Sequence, residues 1–260
     1  LFCIAAGAAL FLAGCKPPGA RALLRGERLI DKGNYREAIA QLTRATSILT
    51  TNAQAWNYLG LAYHHAGEAA NADRAYQRAL LLDNDLSEAH FNLGCLLLEQ
   101  NKPESAKNEL TAYVLRRGNF PEALAKLASA DYRSHDYTGA ERSFGALLKT
   151  NPNNPEALNG MGLVRYHQRR LRDSVQYFLA ALKQNQGYAP AVLNLGIVSQ
   201  ASGDYHAAIQ NYQQYLRLAP HAENAAAVNQ LARDLEAALA ASKRTAAPAN
   251  PLRTGTVQRR

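Results

Sequence analysis

Apolar residues recur along most of this chain at spacings of three and four, the rhythm of one face of an α-helix. Trp56, Leu59 and Tyr63 make one such face. A break follows, as in Gly33-Asn34-Tyr35 and Gly203-Asp204-Tyr205, and a second amphipathic stretch then runs to an Asn- or Pro-containing stop. The pattern predicts pairs of helices joined by short turns.

The phase returns every 34 residues. Gly60 has Gly26, Gly94, Ala128, Gly162 and Gly196 as equivalents, and Ala72 has Ala38, Ala106, Ala140, Ser174 and Ala208. The equivalents of Tyr76 are Leu42, Leu110, Phe144, Phe178 and Tyr212. Six units fit without insertion: 19–52, 53–86, 87–120, 121–154, 155–188 and 189–222. Small residues at fixed phase on both helices let two backbones approach closely, and the larger side chain one turn later fills the space beside them. Residues 223–242 form one further predicted helix with Val228, Leu231, Leu235 and Leu239 on one stripe, a cap for the last unit. Residues 243–260 have no apolar period and are expected to be disordered.

The residues at these phases, Trp56, Leu59, Gly60, Tyr63, Ala72, Tyr76 and Ala79 with their equivalents, resemble the tetratricopeptide repeat family over 204 of the 260 residues. Ala128, Ser174, Tyr113 and Tyr215 depart from the family pattern and affect local packing only. The resemblance implies an all-α fold: a right-handed superhelical solenoid of six 34-residue helix hairpins plus the C-terminal capping helix. It further implies that the first helices line a concave face that binds a partner. By phase, the residues on that face are Asn57, Leu61 and His64; Phe91, Asn92, Cys95 and Glu99; Ser129 and Tyr132; Asn159, Leu163 and Tyr166; and Leu193, Asn194 and Ile197. Amides there can pair with a peptide backbone, and aromatic side chains can select among sequences. The alternative for Asn57, Asn92, Asn159 and Asn194 is a local role in tying helices together. A free row of amides predicts that alanine variants lose binding but keep stability; a tie predicts the reverse.

Hydrophobic residues make up 47% of the chain and charged residues 19%, ordinary for a folded protein. The net charge of +8 is concentrated at the end, because Lys243, Arg244, Arg253, Arg259 and Arg260 stand in the last eighteen residues without an acid. Eight less five for that tail and one for Lys16 leaves +2 on residues 19–242, which removes the main support for a nucleic-acid partner. The tail is read as solvated, with contact to anionic lipid or cell-wall polymer as the alternative.

Residues 1–14, LFCIAAGAALFLAG, carry no charge and are too short as a helix, about 21 Å, to span a hydrocarbon core of about 30 Å. They fit the core of a secretory signal whose basic start lies upstream of Leu1. Leu12-Ala13-Gly14-Cys15 resembles the lipobox of bacterial lipoproteins. The resemblance implies a diacylglyceryl thioether on Cys15, cleavage before it, and acylation of the new amino terminus. Residues 15–18 then form a proline-stiffened tether. Lys16 is not the Asp that retains lipoproteins in the inner membrane, so the resemblance implies the outer membrane, facing the periplasm. Arg21, Arg25, Arg28 and Lys32 share one helical stripe where later units carry small or apolar residues. The first unit has no predecessor to pack against, so this basic stripe either faces anionic head groups beside the anchor or is a solvated cap.

No catalytic constellation emerges, and the chain is read as a non-enzyme without cofactor or small-molecule substrate. His64, His65 and Cys95 do not match metal-ligand spacing, so no metal site is assigned. Arg165, Arg169, Arg170 and Arg172 read as a solvated helix end rather than an anion site. The function expected is a membrane-anchored periplasmic scaffold that holds a partner protein or peptide in the concave groove, in envelope, pilus or secretion assembly. The alternative is an adaptor for cell-wall polymer or its enzymes.

Overall fold

A computed structural model describes residues 17–245. The expected signal segment 1–14, Cys15 with Lys16, and the tail beyond 245 lie outside the described residues. Thirteen α-helices occur among the described residues. The first helices of the hairpins are α1 (Pro18–Asp31), α3 (Ala53–His65), α5 (Ser87–Glu99), α7 (Pro121–Arg133), α9 (Pro155–His167) and α11 (Ala189–Ala201). The second helices are α2 (Tyr35–Ile48), α4 (Ala69–Leu82), α6 (Pro103–Arg117), α8 (Tyr137–Thr150), α10 (Leu171–Gln184) and α12 (Tyr205–Leu218). From α3 onward each kind of helix begins every 34 residues. α1 starts at Pro18, so the last residue of the expected tether enters the helix at a position where its missing N–H costs nothing. The final helix, α13, covers Ala225–Thr245 rather than 223–242.

The chain divides into two compact units, one ending at Ser134 and the other beginning at His135. In the first, α1 packs on α2, α3 on α4 and α5 on α6, and each second helix packs on the following first helix. The second unit repeats the scheme with α9 on α10 and α11 on α12, and closes with α12 against α13. This is the fold of a helical solenoid.

The phases found in the sequence are the contacts of the core. A methyl group at Gly60 would stand 2.5 Å from the Tyr76 ring, and one at Gly94 2.7 Å from the Leu110 side chain, both inside van der Waals contact. Leu42, Tyr76, Leu110, Phe178 and Tyr212 are wholly buried as a result. Hairpin turns use one left-handed residue each, at 33, 67, 101, 135, 169 and 203, with φ between 57° and 81°. Glycine fills three of these places; Asn101, His135 and Arg169 hold the same conformation without it. The turn 5→2 and 6→1 bonds are visible as Gly33 N–H to the Ile30 carbonyl and Asn34 N–H to that of Leu29. Asn52, Asp136, Asn154 and Asp204 cap the helices that follow by accepting from backbone N–H groups.

Candidate partner-binding site

The exposed side of the first helices in the first unit is built from half-buried Leu61, His64, Phe91, Cys95, Ser129 and Tyr132, with Glu99 exposed. Phe91 leans on Tyr113 of α6, ring centroids 5.1 Å apart, which fixes its attitude. In the second unit Leu163, Tyr166, Leu193 and Ile197 are likewise half-buried on α9 and α11. The Tyr166 ring stands edge-on to His167 at 5.4 Å.

The asparagines behave otherwise than the free row expected of them. Asn92 Nδ2 donates to Asn57 Oδ1 at 3.0 Å, and Asn194 Nδ2 donates to Asn159 Oδ1 at 2.9 Å. Asn57, Asn159 and Asn194 are buried. They join neighbouring first helices within each unit, because a buried amide must find a partner and the nearest is the amide one repeat and one residue away. The wall that a ligand meets is therefore mixed, with Leu61, Phe91 and Tyr132 beside His64, Glu99 and half-buried Asn92, and with Asn57, Asn159 and Asn194 inside it.

A third link at the same separation joins His64 Nε2 to Glu99 Oε2 at 2.8 Å. It accounts for one of the histidines weighed as a metal ligand, while His65 stacks on Tyr35 at 5.0 Å. Cys95, the third, has its thiol pushed up to about 11 by burial, which makes it a poor thiolate donor. Among the described residues no group of three or more His, Cys, Asp or Glu is placed to hold a metal ion.

Arg21, Arg25, Arg28 and Lys32 all stand exposed along α1. Arg165 and Arg170 are engaged with acids: Arg165 donates to Glu141 at 2.8 Å and Arg170 pairs with Asp173 at 2.5 Å. Hydrogen bonds from Arg165 and Gln168 hold the Glu141 carboxyl down at about 2. This lock between α8 and α9 escaped the sequence reading, as did the bond from Tyr58 Oη to Glu27 at 2.8 Å. The Tyr58–Glu27 bond joins residues 31 apart, close to the 34-residue period, whereas Glu141 meets Arg165 and Gln168 at 24 and 27, the separation of a second helix from the first helix that follows it, which the period alone does not mark.

His135 and His167 both approach Tyr137 Oη through Nδ1, at 3.0 and 3.1 Å. Burial, then the neighbouring His135 and Arg169, push the His167 imidazole below its ordinary value. Between α4, α5 and α6 a cavity of about 650 Å³ has Leu80, Leu81, Leu93 and Leu97 in its lining together with polar groups such as Asp73, His90, Lys102 and Glu109. No helix among the described residues is long and apolar enough to cross a membrane.

Family models of tetratricopeptide repeats match residues 26–67, 53–86, 125–190 and 189–221. No curated protein matches the chain. Among solved structures, the chain is similar to PilW, a widely conserved type IV pilus biogenesis factor. Identity is 18% over 82% of this chain and 99% of that one, with a TM-score of 0.65. PilF of Pseudomonas aeruginosa is 22% identical over 82% of this chain and 97% of its own, with a TM-score of 0.61. YrrB, a tetratricopeptide-repeat protein with an unusual peptide-binding site, is 17% identical over 73% and 97%, with a TM-score of 0.58. At such identities the likeness speaks to the fold.

Proposed function

Because this chain is built of tetratricopeptide repeats, we propose that it is a membrane-anchored, periplasm-facing scaffold that holds an extended segment of a partner protein along its first helices. One observation carries the reading: Leu61, Phe91 and Tyr132 in the first unit, and Leu163, Tyr166 and Ile197 in the second, remain half-exposed on helices whose opposite faces are packed. Apolar and aromatic surface left open on successive first helices within each unit suits a chain segment better than a compact ligand. The amide pairs Asn57–Asn92 and Asn159–Asn194 tie neighbouring first helices together, and such preorganisation lowers the ordering cost of binding. The likeness to two pilus proteins and to a peptide-binding repeat protein supports assembly work at the envelope. Cys15 is the proposed lipid attachment, with the outer membrane as its site, and the exposed Arg21, Arg25 and Arg28 follow it by six, ten and thirteen residues to meet anionic head groups.

The test is crosslinking in intact cells from photoreactive residues placed at Leu61, Phe91 and Tyr166, with placement at Arg44 on α2 as control. One protein captured from the first-helix positions and not from the control supports the proposal. Capture of cell-wall polymer alone would favour the adaptor reading, and equal capture from all four positions would refute a first-helix site.

A further inference from the structure

Tyr76 Oη is the one buried side-chain polar atom without a hydrogen-bond partner among the described residues. The tyrosine is wholly buried, so solvent does not reach it. Four of the six units avoid the difficulty with Leu or Phe at this phase. The only other hydroxyl there, Tyr212 Oη, donates to Gln200 Oε1 at 2.7 Å. His64 occupies the phase of Gln200 in the first unit, and its ring stands edge-on to Tyr76 with centroids 6.4 Å apart. Its Nε2 is committed instead to Glu99 at 2.8 Å, and Glu99 is 66% exposed. An imidazole that donates through Nε2 keeps a lone pair on Nδ1, the acceptor that a tyrosine hydroxyl requires. The ring serves Glu99 and not the hydroxyl of the tyrosine it stands against. The one it leaves is the buried group, whose desolvation is uncompensated.

We infer that Glu99 is the docking point for a lysine or arginine side chain of the partner segment, and that Tyr76 strengthens this docking by taking His64 once the cation has claimed the carboxylate. This rests on the first helices being the partner-binding face. The cation is favoured over a neutral donor because it sets a full opposite charge against the Glu99 carboxylate as well as a hydrogen bond. The free protein stores the cost of the unpaired hydroxyl, and the complex recovers it.

The experiment follows the His64 ring by NMR in the full chain during titration with Nα-acetyl-lysine amide, with Nα-acetyl-norleucine amide as the uncharged control. The lysine probe is expected to move the ring resonances and the norleucine probe to leave them. Tyr76→Phe should weaken the lysine probe about fivefold, one ordinary hydrogen bond, without lowering the thermal midpoint. His64→Gln, which copies the Gln200 arrangement, should raise the midpoint and bind the probe more tightly. Equal shifts from both probes, or unchanged lysine affinity in Tyr76→Phe, would overturn the inference. Partner crosslinking from Leu61 and Phe91 in the same variants separates the two readings. Capture that persists while the lysine effects are absent leaves the scaffold standing without this switch, whereas loss of capture from the parent protein strikes the scaffold itself.

Discussion

Replacing Asn57 with alanine removes the acceptor of the Asn92 amide from the interior of the wall. The expected cost is about 1–3 kcal/mol, the desolvation of a polar group left unpaired, and a thermal or urea melt of the variant measures it. Asn92→Ala should cost a similar amount, and unchanged stability in both would mean the pair is idle. Glu141 gives the corresponding electrostatic case. Its carboxyl titrates at about 2 in the folded chain against an ordinary 4.5. The folded form therefore holds the charged state more strongly, and the stabilisation is present above pH 4.5 and lost as pH falls towards 2. The Glu141 side chain is 38% exposed, so solvent and salt weaken the effect. Acid unfolding followed by circular dichroism should show that Glu141→Gln loses less stability than the parent between pH 4.5 and 2. The difference should shrink in high salt.

The hairpin turn and the cap carry the predictions at the level of elements. Arg169 holds φ at 62° where Gly33, Gly67 and Gly203 hold 73°, 78° and 81° in equivalent turns. A β-carbon in that conformation costs about 1–2 kcal/mol, partly offset by the greater freedom glycine has when unfolded. Arg169→Gly should thus stabilise the second unit by about 0.5–1 kcal/mol, read as a rise in denaturation midpoint. α13 has the opposite significance. Val228 and Ala232 pack into the cluster of Val192, Ala208, Tyr212 and Tyr215, and Tyr215 Oη donates to Asn224 at 2.5 Å. A chain ending at residue 222 bares that cluster. It is expected to melt earlier and to associate, visible by size-exclusion chromatography, because a terminal hairpin without its cap exposes an interface built to be buried.

For the whole molecule the decisive question is attachment. If Cys15 bears lipid, Cys15→Ser should shift the protein from the membrane fraction to the soluble one or leave an uncleaved precursor. Mass spectrometry of the mature amino terminus checks the same point directly, and an unmodified terminus other than Cys15 would refute it. A soluble 17–245 fragment and its Arg21/Arg25/Arg28→Ser variant should differ in affinity for anionic liposomes. Equal affinity would reduce the basic stripe to a solvated face of the first hairpin.

The hairpins were legible because their information is local and periodic. Gly60, Ala72 and Tyr76 recur at fixed phase, and each small residue must oppose a large one for two helices to approach, so spacing alone implied the contact. The turns at Gly33 and Gly203 were legible for the same reason, while His135 and Arg169 hid equivalent turns behind residues that seldom adopt positive φ. The candidate site was readable only as a face. Helical phase places Asn57 and Asn92 near the same side of the hairpins, but it is silent on whether an amide points to solvent or across to its neighbour. That choice depends on where the adjacent repeat's side chains end, and desolvation settled it in favour of pairing. His64 was open in the same way: sequence put it on the same face as Cys95 and Glu99, and only the packed helices directed its ring to Glu99 and left Tyr76 Oη buried without a partner. Period and phase are properties of the chain itself; hydrogen-bond partners are decided by burial, which exists only once the repeats are stacked.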